Sequence, residues 1–458
     1  MTQERQAALD YAREHGERFL ADLKDLVAIP SISTADEHRE DIRRAAEWLA
    51  DHLRDLGMEN VQVIPTERHP VVYAEHLGVN NAPTVLIYGH YDVQPVDPLD
   101  LWESPPFEPS LRGENLYARG TSDMKGQVMA VLKAVESMVH GGGGLPVNVR
   151  FMLEGEEEIG SPSLPAFMET HRHLLKSDFC LNPDAGMIGL DMPTITYALR
   201  GLAYFEIHVY GPEHDLHSGT YGGVVHNPAQ ALAELIAGMH DEQGHITLPG
   251  FYDRVRPLSK EEHEALARLP MDEAYYLKQT GAPALWGEPE YLPVERVGAR
   301  PTLEVNGLLS GFTGEGAKTV LPAKAMAKIS MRLVPDQTPE EVHQQLLRYL
   351  EEHAPDDIRW EVKALHGAVP AIARLDTPAV RALREALETV WAKDVLFARI
   401  GGTIPVVADL QNVLGIESVL TGFGLPDDNL HAPNEKIHLP TWYKGIQALI
   451  HFFYNLAA

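Results

Sequence analysis

The stretch LIYGHYDVQP carries His90 and Asp92 two residues apart at the end of an apolar run. On a strand, positions i and i+2 leave the same face. An imidazole would then stand beside a carboxylate able to orient it, as metal-ligating histidines require. Taken alone, His-x-Asp reads equally as a solvated loop pair. In ARGTSDMKGQ, Asp123 sits where a loop enters a helix. There a carboxylate either caps the helix or, near a histidine, bridges two cations. MLEGEEEIGS packs Glu154, Glu156, Glu157 and Glu158 around one glycine, directly after the apolar VNVRFML. Neighbouring like charges repel, so this is either a solvated turn or a set of groups facing something strongly positive. Asp184 in CLNPDAG reads by itself as a turn aspartate, and His431 in DDNLHAPNE as an exposed loop histidine.

The elements that must position these residues follow from periodicity. DIRRAAEWLADHLRDLG has the helical period and ends at Gly57. Apolar strands follow at NVQVIP, VVYAEHL and TVLIYGHYDV, then the helix MKGQVMAVLKAVESMV, the strand VNVRFMLEG, a helix around residues 163–175 and the strand-like DFCLNPD. Apolar runs separated by helices imply an α/β sheet covered on both faces. From about Tyr197 the texture changes. ALRGLAYFEIHVYGP is a long alternating strand, and NPAQALAELIAGMHD is a helix opened by Asn227 and Pro228. After a polar, proline-rich excursion from about Gly250 to Arg300 come AMAKISMRLVP, TPEEVHQQLLRYLEEH and IRWEVKAL, completing a β-α-β-β-α-β-like unit. The expected fold is therefore α/β, a central mixed sheet flanked by helices, interrupted by a smaller α+β, ferredoxin-like domain. The expected boundaries are 1–197, 198–370 and 371–458.

His90, Glu157, Glu158, Asp184 and His431 all fall at predicted strand-to-loop exits, with Asp123 at a nearby helix entrance. Open α/β sheets bind ligands outside the carboxyl ends of their strands, so this co-location favours one metal site over separate accidents. A set of imidazoles and carboxylates without thiolate suits zinc, with manganese or cobalt as alternative occupants. Two metals about 3.5–4 Å apart would share a carboxylate and a water. The chain contains no H-E-x-x-H, no G-x-S-x-G, no P-loop and no G-x-G-x-x-G.

Bulk properties narrow the class further. With 38 Lys and Arg against 66 Asp and Glu, the net charge is −28, which argues against nucleic acid and anionic membranes as partners. No stretch reaches the roughly 18 apolar residues of a membrane helix. The single cysteine, Cys180, precludes an internal disulfide and fits a reducing compartment. Together with an N-terminus lacking an apolar signal core, it makes the cytoplasm the expected location. At 458 residues the chain exceeds one ordinary core, as the two-domain reading requires.

Taken together, GHYDVQP, LYARGTSDMKG, LEGEEEIGS, HDLHSG and HAPNE resemble the dinuclear zinc peptidases that include carnosinase, cytosolic non-specific dipeptidase, aminoacylase, acetylornithine deacetylase and succinyl-diaminopimelate desuccinylase. The resemblance covers nearly the whole chain in the family's order. HYDVQP followed by LWESPPFEP, and the long segment from Gly250 to Arg300, look most like the dipeptidase branch.

Position by position, the resemblance implies two Zn2+ per subunit. One would be held by His90, Asp123 and Asp184, the other by Asp123, Glu158 and His431. Asp92 would support His90, and the peptide bond Asp123–Met124 would be cis. Glu157 would be the general base acting on a metal-bridging water, while the resemblance assigns no role to Glu154 and Glu156, which either support the ligands or face solvent. His217 in EHDLHSG would stabilise the substrate oxyanion, reaching it from the partner subunit of a homodimer formed through the smaller domain, residues 198–370, which would act as lid and dimerisation domain. Arg332 in SMRLVP would grip the substrate carboxylate, and Thr319, Gly402 and Thr403 fall where the family contacts substrate. The implied activity is hydrolysis of dipeptides or short peptides with a free C-terminal carboxylate. An N-acyl amino acid amidohydrolase is the first alternative, and a non-catalytic acidic metal-binding scaffold the second.

Overall fold

The computed structural model describes residues 2–457. It divides into two compact units, Met1–Tyr197 with Ala373–Phe397 and Asp409–Ala458, and Ala198–Ile372 with Ala398–Ala408.

In the first unit the strands lie side by side in the order Glu59–Ile64, Val71–His76, Asn148–Glu154, Thr84–His90, Phe179–Asn182, Ser418–Leu420 and Thr194–Leu199. Thr84–His90 runs parallel to both of its neighbours, and Ser418–Leu420 parallel to Phe179–Asn182, whereas Val71–His76 pairs antiparallel with Asn148–Glu154. This is the expected mixed sheet. Helices bury amphipathic stripes on it. Arg39–Asp55 turns Ile42, Ala45, Ala46, Leu49, Ala50 and Leu53 inward, the i, i+3, i+4, i+7 spacing of one helix face. Just beyond it Gly57 takes φ +77°, a conformation that suits glycine after a helix end. Lys125–His140 is buried almost all round because Gln3–Glu14, Gly16–Val27 and Leu439–Leu456 pack against it.

The central parallel strands share a carboxyl edge, and His90 is the last residue of one while Glu154 is the last of another. The loops carrying Asp184 and His431 follow Phe179–Asn182 and Ser418–Leu420. Asp123 precedes Lys125–His140. Topology thus gathers five segments, distant in sequence, at one edge of the sheet.

The second unit is a four-stranded antiparallel sheet in the order Thr302–Ser310, Lys324–Leu333, Gly201–Tyr210, Arg359–Ala368. Numbered along the chain this is 2-3-1-4, a β-α-β-β-α-β arrangement. Pro228–Ala237 and Pro339–His353 supply apolar residues to its core, Leu232, Leu235, Leu346 and Leu350 among them. Both helices open on capping side chains, Asn227 accepting from the Ala229 N–H at 2.9 Å and Thr338 from the Glu341 N–H at 3.2 Å.

Several elements differ from the periodicity reading for identifiable reasons. The long strand expected from 198 to 212 is two strands, Thr194–Leu199 and Gly201–Tyr210, broken at Arg200. The buried Arg200 guanidinium donates to the carbonyls of Gly401 at 3.3 Å and Arg300 at 3.3 Å. A Cβ on Gly201 would lie 2.5 Å from the Ala368 carbonyl oxygen, so only glycine permits this close approach. The helix expected over residues 163–175 is split at His171 into Leu164–Thr170 and Arg172–Leu175. His171 directs both its N–H and its ring nitrogen Nδ1 to the Phe167 carbonyl. The excursion between residues 250 and 300 contains three short helices, Lys260–Leu266, Glu273–Thr280 and Pro293–Gly298. Finally, residues 398–408, expected with the last part of the first unit, group with the second through the contacts of Gly401 and Thr403 with Arg200.

Candidate metal centre

His90 is fully buried. Its Nδ1 lies 3.1 Å from the Asp92 carbonyl oxygen and 3.4 Å from Asp92 Oδ1, which turns Nε2 outward from the sheet edge. There Nε2 stands 3.2 Å from Asp123 Oδ1 and 3.8 Å from Asp184 Oδ1. Among the described residues it makes no hydrogen bond.

The other oxygen of Asp123, Oδ2, lies 2.9 Å from His431 Nε2, which is itself 3.3 Å from Glu158 Oε2. The two oxygens of Asp123 therefore face two different imidazoles. The Asp123–Met124 peptide bond is cis. Gln94 Nε2 donates to Glu158 Oε2 at 2.8 Å, and Asp92 accepts the backbone N–H groups of Glu157 and Glu158 at 3.2 and 3.1 Å. Asp184 is placed by its own N–H, which donates to Asn182 Oδ1 at 2.8 Å.

Electrostatics bears on what this cluster can hold. Burial alone would depress the His90 pKa, but Asp123, Asp92 and Asp184 hold it well above the usual imidazole value. Hydrogen bonds to Asp123 and Glu158 push His431 up to about 10. Burial, reinforced by Asp123 and Glu158 against the pull of His90, raises Asp184 to about 7. Burial, relieved in part by His90, also lifts Glu157 well above the ordinary carboxylate range, with Asp184 and Glu158 adding to the rise. Carboxylates compressed together resist ionisation unless a cation offsets them. The donor set fits that cation. Among the described residues Nε2 of His90 is buried without a partner, and Asp123, Asp184, Glu158 and His431 add carboxylate oxygens and a second imidazole, the ligands that borderline divalent metals take.

Of the four clustered glutamates, neither Glu154 nor Glu156 faces solvent. Glu154 accepts from Tyr88 Oη and Ser161 Oγ, each at 2.8 Å, and burial beside Asp92 pushes its pKa up to about 8. Glu156 clamps the turn by accepting from Thr66 Oγ1 and the His69 N–H, both at 2.8 Å, and the Ser163 N–H at 3.0 Å. The run of glutamates is therefore two structural carboxylates and two presented at the sheet edge.

Residues missed from sequence lie behind the centre. Glu435, fully buried, accepts from Arg119 Nη1 at 2.8 Å and from the N–H groups of Gly120, Ser122 and Asp123 at 2.9, 2.9 and 3.0 Å. Nothing in the polar string HAPNE distinguishes it from a solvated glutamate. Among the described residues a second group of metal-ligating types, Asp22, His52 and Glu136, also converges. Its middle is filled by Lys133 Nζ, which donates to Glu136 Oε2 at 2.8 Å and to His52 Nε2 at 3.2 Å and pairs with Asp22. An ammonium already satisfies that cluster.

The second unit carries the remaining sequence-predicted residues. His217 is exposed on a two-residue strand paired with Val320–Leu321, and its Nδ1 accepts the Gly219 N–H at 3.0 Å. Thr319 is exposed beside it, its carbonyl accepting the Ser218 N–H at 3.1 Å. Elsewhere in this unit Arg332 Nη1 donates to Thr403 Oγ1 at 2.8 Å, and that hydroxyl donates to the Arg200 carbonyl at 2.6 Å. Gly402 is exposed, with open space where a Cβ would stand.

A mixed α/β sheet presenting imidazoles and carboxylates at its carboxyl edge defines a metal-dependent hydrolase. The profile of the peptidase family M20/M25/M40 matches residues 86–455, and the chain belongs to that family. Over 464 residues it is 32% identical to the human beta-Ala-His dipeptidase, covering 98% of this chain and 92% of that protein. Over 472 residues it is 31% identical to the Cys-Gly metallodipeptidase DUG1 of Candida albicans, covering 98% and 97%. The crystal structure of Sso-CP2, described as an M20 family metallo-carboxypeptidase from Sulfolobus solfataricus, superposes with a TM-score of 0.86 at 34% identity, over 96% of this chain and 99% of that one.

Proposed function

We propose that the chain is a metal-dependent dipeptidase, cleaving the peptide bond of dipeptides or short peptides that carry a free C-terminal carboxylate. One observation carries this reading. Asp123 turns one oxygen to His90 and the other to His431, beside a glutamate pair held by Asp92. His90, Asp123 and Asp184 would hold one divalent ion, and Asp123, Glu158 and His431 the other. Zinc suits the donors, with manganese or cobalt as alternatives. When bound, such ions supply Lewis acidity and lower the pKa of water towards about 7.

The residues supply the rest. Glu157, half-buried at the edge of the cluster, takes a proton from the attacking water and returns it to the departing amine. Burial raises its pKa, which favours holding the proton between the two transfers. His217 donates to the carbonyl oxygen as charge develops there, supplied by the second subunit of a homodimer formed through residues 198–370. Arg332 pairs with the substrate carboxylate through its planar fork. Thr319, Gly402 and Thr403 contact the substrate, Thr403 beside Arg332. The single cysteine, fully buried at Cys180, is consistent with residence in the cytoplasm, and among the described residues no helix is long and apolar enough to cross a membrane.

A second reading, removal of C-terminal residues from longer peptides, is favoured by the likeness to Sso-CP2. Dipeptides, their N-acetylated forms and matched tripeptides, assayed before and after chelation and on return of zinc or manganese, separate the possibilities. Chelator-sensitive cleavage of free dipeptides alone supports the dipeptidase. Equal turnover of tripeptides supports the carboxypeptidase, and cleavage of acylated compounds alone an amidohydrolase. Silence on all of them with metal bound leaves a binding scaffold.

A further inference from the structure

We propose that Glu435 is a positioning residue of the metal centre, setting the separation of Asp123 from His431 and hence the affinity for the ion those two would share with Glu158. This rests on the metal reading above and extends it to a residue whose side chain meets Asp123 only at its backbone N–H.

Glu435 joins two segments 312 residues apart in sequence. On one side it follows His431 by four positions. On the other, its carboxylate gathers the loop that ends in Asp123. Oε2 takes Arg119 Nη1 and the Gly120 N–H, and Oε1 takes the N–H groups of Ser122 and Asp123. The backbone adds a fifth tie, the Ala118 N–H donating to the Glu435 carbonyl at 3.1 Å.

Both ends of this tie are themselves anchored. Arg119 donates its second terminal nitrogen to the Pro95 carbonyl at 2.9 Å. Asn434, in the left-handed region at φ +61°, donates to the Leu101 carbonyl at 2.8 Å and accepts the Glu103 N–H at 2.9 Å. A buried carboxylate satisfied by a guanidinium and three amides is a strong and directional node. Removing its charge leaves buried N–H groups without acceptors, and Asp123 is the terminal residue of the segment those bonds hold. His90 and Asp184 have separate supports in Asp92 and Asn182. Asp123 would serve both ions, but only one of them also depends on His431, so the effect should fall more heavily on that ion than on the one held with His90 and Asp184.

The test is stepwise metal uptake by the full-length apoprotein, followed by calorimetric titration with zinc and by the absorption spectrum with Co2+. Glutamine at this position keeps one acceptor oxygen but sets an NH2 group against N–H donors on the other side. The wild type should take up two ions. Glu435→Gln should bind the ion shared with His431 about 10- to 100-fold more weakly, the usual cost of removing a support behind a ligand, and the ion held with His90 and Asp184 only a few-fold more weakly, with the larger spectral change at the weakened Co2+ site. Two wild-type affinities in a folded Glu435→Gln protein overturn the proposal, as does equal weakening of both steps, which marks a merely structural role. If that variant does not fold, Arg119→Lys removes the guanidinium fork while leaving the three amide bonds. It should weaken the same step to a smaller degree, and unchanged affinities there also overturn the proposal. Fewer than two ions bound by the wild type would refute the metal reading itself, and the proposal with it.

Discussion

Asp92 holds Glu157 by accepting its backbone N–H on Oδ1 at 3.2 Å, while the same oxygen lies 3.4 Å from His90 Nδ1. Its other oxygen takes the Glu158 N–H at 3.1 Å. One buried carboxylate thus sets the angle of an imidazole and the turn that presents two glutamates. Asp92→Asn preserves the volume but places an NH2 group where one of these N–H donors points. We expect kcat/KM to fall about 10- to 100-fold together with metal affinity, and Asp92→Ala to fall further. Steady-state kinetics beside metal analysis check this, and full metal content with unchanged kinetics would show that Asp92 positions nothing.

Glu157 and Glu158 are adjacent but are predicted to separate by phenotype. Glu157→Gln should lose about 10²- to 10⁴-fold in kcat, the usual contribution of a general base, while retaining both ions and the stability they confer. Glu158→Gln should lose metal first and activity as a consequence, recovering in part when excess metal is supplied. The pair is measured by kcat at saturating metal and by ion content after gel filtration. If Glu157→Gln retained normal turnover, the base would have to be sought elsewhere.

The expected sheet and the gathering of His90, Asp123, Glu157, Glu158, Asp184 and His431 at its carboxyl edge were legible because each residue sits beside a strongly periodic element. Strand exits share one edge in a parallel arrangement, so position along the chain translates into position in space. What sequence does not display is the use of a buried carboxylate. Glu154, Glu156 and Glu435 are chemically identical to surface glutamates in polar strings, and only the donors that tertiary packing brings to them separate the roles. The edge strand Thr302–Ser310 was equally hard to see, since its residues do not alternate between buried and exposed. Arg200 interrupted an otherwise continuous alternating run for a reason that lies about 100 and 200 positions away, at the carbonyls of Arg300 and Gly401.

In the second unit, Thr403 is engaged at both ends of its hydroxyl, accepting from Arg332 and donating to the Arg200 carbonyl. That hydroxyl aims the guanidinium rather than standing free. Thr403→Val keeps the shape and removes the bond, so we expect KM for free dipeptides to rise about tenfold, the loss of roughly 1.4 kcal/mol, with a smaller change in kcat. Thr403→Ser should behave as wild type. Arg332→Met sets the reference, since a substrate whose C-terminal carboxylate is amidated should lose its dependence on both residues. Equal sensitivity of the amidated and free substrates would detach the pair from carboxylate recognition.

His52 offers a stability test independent of the catalytic centre. Burial, reinforced by the neighbouring Lys133 ammonium, lowers its pKa from 6.5 to about 4, so the ring stays neutral in the folded protein and accepts from Lys133 at 3.2 Å. In the unfolded chain the same ring titrates near its ordinary value. Between these two pKa values the unfolded state binds a proton that the folded state refuses, so the contribution is intact above pH 6.5, shrinks as pH falls and levels off below about 4. The full shift corresponds to about 3 kcal/mol. His52→Gln retains an acceptor for Lys133 and removes the titration. Denaturant melts of the two metal-free proteins should therefore converge from pH 7 to pH 4.5, the wild type losing stability more steeply. The carboxylates common to both chains titrate alike and cancel in the difference, so parallel curves would mean that His52 takes up a proton without leaving the Lys133 cluster.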